Sequence, residues 1–99
     1  MDFHFLYQGQ PFVWNTEKAS TNATKHGIRF EIAAQVFFDR FLRLEDASDA
    51  GEQREAAIGM TEDLLLLLVI HLQRDDQSIR IISARLASAQ ERRAYEDSE

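Results

Sequence analysis

The sequence contains no cysteine, one proline and only four glycines. Without thiols there is no disulfide framework and no thiolate metal site, as expected of a chain kept in a reducing compartment. So few glycines exclude a glycine-rich cofactor loop, and neither a phosphate loop nor a G-x-S-x-G elbow is present. His4, His26 and His71 lie far apart and form no H-x-x-x-H pair, so no metal is expected. Long hydrophobic runs are also missing. The longest, Leu64–Ile70 with His71 and Leu72 behind it, is nine residues, whereas a membrane-crossing helix needs about 20. The opening MDFHFLYQGQ has neither a basic n-region nor a long apolar h-region, so no secretory signal is expected. The chain reads as cytoplasmic, with no membrane association.

A surplus of positive charge is absent as well: 11 Lys and Arg stand against 17 Asp and Glu, a net charge of −6. A uniformly acidic surface repels phosphates. The basic charge is not uniform, however. Arg80, Arg85, Arg92 and Arg93 fall in residues 79–95 with Glu91 as the lone acid, and Glu96, Asp97 and Glu99 close the chain.

What is present fits one domain over residues 1–99, with 44% hydrophobic and 28% charged residues. Such a domain buries only about 60–70% of the surface its unfolded chain exposes. Phe3, Phe5 and Tyr7 alternate weakly, Gly9 interrupts, and Phe12–Trp14 resumes, which predicts one or two short strands with a turn at Gln8–Pro11. Asn15 can cap a polar helix over 16–25, with Gly27 just past its end. Phe30, Ala33, Ala34 and Phe37 share one face of a second helix over 30–38.

Strands are expected at 41–45, 54–60, 64–73 and 78–84. The apolar 64–73 segment would lie at the sheet centre, and Asp75–Gln77 would turn a hairpin. Ser88-Ala-Gln-Glu91 is a capping box that opens a last helix over 89 to about 96. Helices grouped apart from a meander define an α+β two-layer fold. It would carry two N-terminal helices, one C-terminal helix and an antiparallel sheet of about four to five strands.

Several residues carry two readings. Lys25-His26-Gly27 is either a proton-transfer group at an exposed helix end or a pair of cations suited to the helix dipole. Arg80 and Arg85 bracket an apolar strand. In a regular strand they point to opposite faces, so reaching one phosphate requires the strand to bulge or to end before Arg85, and the end is expected. Arg54 is either a ligand for an anion or the partner of an acid such as Glu55. His71 reads as a satisfied core histidine, and Trp14 as a core anchor rather than a base-stacking platform. Arg92 and Tyr95, at i and i+3, share roughly one face of the last helix.

Taken in order, these segments resemble the BrnT toxin family. They are Phe12-Val-Trp14 with Lys18 and Asn22, Lys25-His26-Gly27, Phe30-Glu-Ile-Ala33, Val36-Phe-Phe-Asp39, Glu52-x-Arg54, Ile58-Gly59 and Val69-Ile-His71. Arg80-Ile-Ile-Ser-Ala-Arg85 and Glu91-Arg-Arg93-x-Tyr95 complete the set, which spans about residues 12–95. Asn15 stands where the family commonly has aspartate, and either residue can cap a helix.

The resemblance implies a RelE-like fold, cleavage of RNA without a metal or cofactor, and a type II toxin–antitoxin system. The partner would be a BrnA-like antitoxin with a ribbon-helix-helix domain, so DNA would be touched only through the antitoxin. Under that resemblance Lys25 and His26 are the proton-transfer candidates and Arg80 and Arg85 grip phosphate. Arg54 and Arg93 would supplement them, with Arg92, Tyr95 and Trp14 as further substrate-binding candidates. The competing reading is a catalytically inactive RelE-like module that only holds its DNA-binding antitoxin. A repressor that binds DNA itself is disfavoured, because the short last helix ends in acids.

Overall fold

The structure is a computed structural model that describes residues 1–97. Its frame is a six-stranded mixed sheet in the order β1-β2-β6-β5-β4-β3. The strands are β1 Asp2–Tyr7, β2 Gln10–Asn15, β3 Arg43–Asp46, β4 Glu55–Met60, β5 Leu66–Gln73 and β6 Ile79–Leu86. The helices are α1 Thr16–His26, α2 Phe30–Ala33 and α3 Ala89–Asp97, and a 3-10 turn over Ala34–Phe38 follows α2.

β1 and β2 form a hairpin whose two-residue turn places Gln8 at φ 49° and Gly9 at φ 81°. Two successive left-handed residues match the twist of the flanking strands. Asn15 ends β2 and caps α1, its side chain accepting from the Lys18 amide at 3.0 Å. Gly27 closes α1 in the left-handed conformation, φ 72°, and donates to the Ala23 carbonyl.

The second helix departs from the expected single helix over 30–38. It makes one short α-helical segment and then tightens. Phe30, Ala33 and Val36 are buried at a spacing of three, the period of a 3-10 helix. Val36 rests directly on Gly59 of β4, where a Cβ would lie 2.9 Å from both the Val36 Cβ and its carbonyl oxygen.

The sheet also differs from expectation, with six strands rather than four or five and not all antiparallel. β2 runs parallel to β6 and pairs with it only at Phe12↔Ile79 and Val13↔Arg80. Past that point the Ala84 stretch of β6 is held by α1. The buried Asn22 side chain donates to the Ala84 carbonyl at 2.9 Å and accepts from the Ala84 amide at 3.0 Å. One helix side chain thus supplies the rung that a neighbouring strand would.

Phe12, Trp14, Leu67, Val69, Ile81 and Ala84 face α2 and the 3-10 turn in the main core. The other face carries Ala56, Ile58, Leu66 and Leu68 under Tyr95 of α3. The expected two layers therefore become three where α3 covers the sheet. β5 is central as expected but starts at Leu66, because Leu64 adopts φ 66° within a turn and is 76% exposed. β3 begins two residues later than expected, and β6 runs past Ala84 to Leu86. No helix among the described residues is long and apolar enough to cross a membrane.

Candidate active site at the bulge of β6

β6 does not end before Arg85; it bulges. Ser83 pairs with Ile70 and Ile81 with His71, which leaves Ile82 as the extra residue. An inserted residue shifts the pleat by one. Arg80, opposite Leu72, and Arg85, opposite Leu68, therefore project from the same face of the sheet. The bulge, rather than the expected strand end, puts the two side chains on one face, at opposite ends of β6.

Beside the bulge lies a cleft of about 320 Å³, walled by Lys18, Thr21, Asn22, Lys25 and His26 of α1 and floored by Ile82 and Ser83. Glu17 stands at the same wall. Lys18, Asn22 and Lys25 share one helix face, and the Asn22 bonds to Ala84 turn that face towards β6. Lys18 and Lys25 are exposed and His26 is half-buried. None of these three side chains has an ion pair among the described residues.

The arginines are differently placed. Arg80 meets Asp2 of β1 through two contacts, at 2.6 and 3.3 Å, and its guanidinium holds the Asp2 carboxyl below the usual carboxylate range. Arg85 makes two 2.8 Å bonds to Glu91. That pairing lowers the pKa of Glu91 and raises that of Arg85, against the opposing effect of burial. Glu91 also closes the expected capping box, accepting from the Ser88 amide at 2.8 Å while the Ser88 hydroxyl accepts from the Glu91 amide at 3.1 Å.

Arg54 precedes β4 and lies level with Leu72, across β5 from Arg80. Two strand spacings, roughly 10 Å, separate their backbones. The expected partner Glu55 is not the one used: Arg54 bonds Glu52 at 3.1 Å, while Glu55 sits 3.4 Å from His71. Among the described residues, the Nε atoms of both Arg54 and Arg80 are buried without an acceptor. His71 is a core residue, packed edge-on to Phe37; burial pulls its pKa down against the Val69 carbonyl and Glu55.

The remaining candidates lie apart. Trp14 is in the main core, 3% exposed, with its ring against Phe3, Phe5 and Phe30. Tyr95 is equally buried, and its hydroxyl donates to Asp39 at 2.5 Å. It therefore points inward, while Arg92 on the same helix is exposed beside Glu96 at 4.0 Å. Arg93 is exposed and has no ion pair among the described residues.

Two residues that organise the site had no legible role in the sequence. Asn22 was a polar residue in a polar helix, and only its burial shows that it ties α1 to β6. Asp39 accepts from Tyr95, from the Met60 amide at 2.7 Å and from the Phe41 amide at 2.9 Å, so it anchors α3 to the end of β4. Burial pushes its carboxyl up, but these donors outweigh it and leave the pKa lowered.

The profile of a family described as the ribonuclease toxin BrnT of type II toxin–antitoxin systems matches residues 14–91. The crystal structure of the Brucella abortus ribonuclease toxin BrnT is similar, with a TM-score of 0.59 and 31% identity over 78% of this chain and 95% of that one. No curated protein sequence matches. The chain belongs to the BrnT family of ribonuclease toxins of type II toxin–antitoxin systems.

Proposed function

We propose that this protein cleaves single-stranded RNA without a metal ion, in the cleft between α1 and the bulge of β6. The observation that carries the reading is the bulge itself, which sets Arg80 and Arg85 on one face and places Ile82 and Ser83 opposite Lys25 and His26.

In this reaction the ribose 2′-oxygen attacks the adjacent phosphorus. A P–O2′ bond forms and the P–O5′ bond breaks, leaving a 2′,3′-cyclic phosphate and a 5′-hydroxyl. A base takes the 2′-hydroxyl proton, an acid supplies one to the 5′-oxygen, and cations offset the charge that grows on the phosphate. The His26 side chain suits the first task, as the base, and Lys25 the second, as the acid. The Arg80 guanidinium matches two phosphate oxygens. Arg85 acts from within its pair with Glu91, and Arg54 and Arg93 add longer-range positive potential. DNA has no 2′-hydroxyl, so it would bind without being cut.

Membership of a type II family implies an antitoxin partner. We propose a BrnA-like ribbon-helix-helix protein that neutralises the toxin and alone contacts DNA. In the test, purified protein cuts RNA in the presence of a chelator, and His26→Ala slows cutting about 10²–10⁴-fold. Abolition of the wild-type activity by the chelator, or an unchanged His26→Ala rate, overturns the mechanism.

One observation favours a second reading. Arg54, Arg80, Arg85 and Arg92 each face a carboxylate, which suits a catalytically silent module that only holds its antitoxin. Induced expression separates the two. Growth arrest that the antitoxin relieves supports the nuclease; harmless expression with tight antitoxin binding supports the module.

A further inference from the structure

We infer that Lys18 is a second RNA-positioning residue, holding the phosphate that follows the strand away from the Lys25–His26 end of the cleft. The inference rests on the ribonuclease reading above and adds a residue to its substrate path. The Asn15 cap fixes the start of α1 and so puts Lys18 in the first turn. Asn22, one turn on, bonds β6 and fixes the rotation of the helix. Together these two polar contacts aim Lys18 and Lys25 into one cleft. Seven residues apart, they stand roughly 10 Å from each other along the helix axis.

Among the described residues no carboxylate pairs with Lys18. Its helix neighbours at i−3, i+3 and i+4 are Asn15, Thr21 and Asn22, none of them acidic. A cation in the first turn also opposes the helix dipole. The arginines show the contrast, since six of them already face carboxylates. Lys18 and Lys25 are therefore cations left open to a ligand, with the His26 imidazole beside them. Two spaced ammonium groups facing a narrow floor of Ile82 and Ser83 suit a phosphodiester backbone threaded along α1. Glu17, at the same wall, opposes that ligand and supplies a control of opposite sign.

The test measures binding of a short single-stranded RNA, methylated at its 2′-oxygens to block cleavage, across a salt series. Lys18→Gln should weaken binding roughly 3–10-fold at low salt and make the logarithmic salt slope shallower by about 0.7. Lys18→Arg should restore binding, and Glu17→Gln should tighten it. With cleavable RNA the Lys18→Gln loss should appear in KM rather than kcat. The melting temperature of Lys18→Gln should hold or rise, since an ill-placed cation is removed from the dipole.

Unchanged binding in Lys18→Gln, with a loss in Lys25→Gln, overturns the inference and leaves the ribonuclease reading standing. Weakened antitoxin capture with unchanged RNA binding overturns it in favour of a protein contact. A fall in melting temperature that Lys18→Arg does not repair makes the residue structural, which also overturns it. If Lys18→Gln, Lys25→Gln and Arg80→Gln all bind RNA as the wild type does, the ribonuclease site falls and the inference with it.

Discussion

The two ends of β6 carry the same interaction in different settings. At one end Arg80 is held by Asp2, a 46% exposed carboxylate on an edge strand with no other hydrogen-bond partner among the described residues. At the other end Arg85 is held by Glu91, a 21% exposed carboxylate that also accepts the Ser88 amide. A phosphate approaching Arg80 displaces one partly hydrated carboxylate. A phosphate approaching Arg85 must also undo the start of α3. Two bidentate pairs of similar length therefore differ in what must be undone to open them, and under the proposed mechanism Arg80 is the arginine that takes substrate while Arg85 builds the site.

The comparison breaks most readily in cleavage. Arg80→Ala should lower the single-turnover rate about 10²–10³-fold, the usual cost of one transition-state donor, with an unchanged melting temperature. Arg85→Ala should cost less in rate at the temperature where both are folded, and more in stability. Equal rate losses with equal stability would erase the distinction between the two ends.

A smaller effect is expected from Glu91→Gln. It weakens both the ion pair and the cap, and the partly exposed pair is screened by solvent. A loss of about 1 kcal/mol is expected, or roughly 4–8 °C in melting temperature. The pH dependence follows from the same contacts. The folded-state pKa values of Glu91 and Asp39 are both lowered. Their contribution is therefore present above the ordinary carboxylate range and is lost as pH falls through that range and below it. Thermal melts should show wild type losing stability on acidification, and Glu91→Gln losing less over the same interval. Parallel curves would remove Glu91 from the account.

The smallest effect sharpens the other end. Asp2→Asn frees Arg80 and should tighten binding of uncleavable RNA roughly two- to fivefold, as expected for release of an exposed pair. Asp2→Asn combined with Arg80→Gln should show no such gain in a binding titration. Tightening that survives without Arg80 would mean that Asp2 acts only through the overall field of the protein.

Much of the local structure was legible in the residues. Asn15 and Gly27 delimit α1, and Ser88 with Glu91 opens α3, because capping depends on side chains only a few positions from the amides they serve. Gln8–Gly9 and Asp75–Gln77 mark turns for the same reason. The apolar stretch around Leu67 and Val69 identified the central strand. The leucines at its start misled: Leu64 and Leu65 read as strand, but the turn from Thr61 to Leu65 leaves them outside the sheet.

The candidate site was legible in part. Lys25 and His26 were singled out by their place at a helix end, and Arg80 and Arg85 by their spacing around an apolar strand. Trp14 read as a core anchor, as it is, yet it stayed with Tyr95 among the substrate-binding candidates, because an aromatic ring looks the same in sequence whether it packs a core or stacks on a base. Lys18 and Asn22 appeared only within a family resemblance.

By itself, then, the chain's composition and short-range spacing determined the α+β class, the helix caps and the central strand, while the family came from the resemblance of its ordered segments. The first three depend on residues near one another in sequence or on their summed hydrophobicity. Only the tertiary structure decided that Ile82 bulges, that Asn22 stands in for a strand beside Ala84, and that Asp2 covers Arg80 from 78 positions away. Those outcomes arise when distant backbone and charged groups compete for one another as water leaves, and no local pattern records who wins.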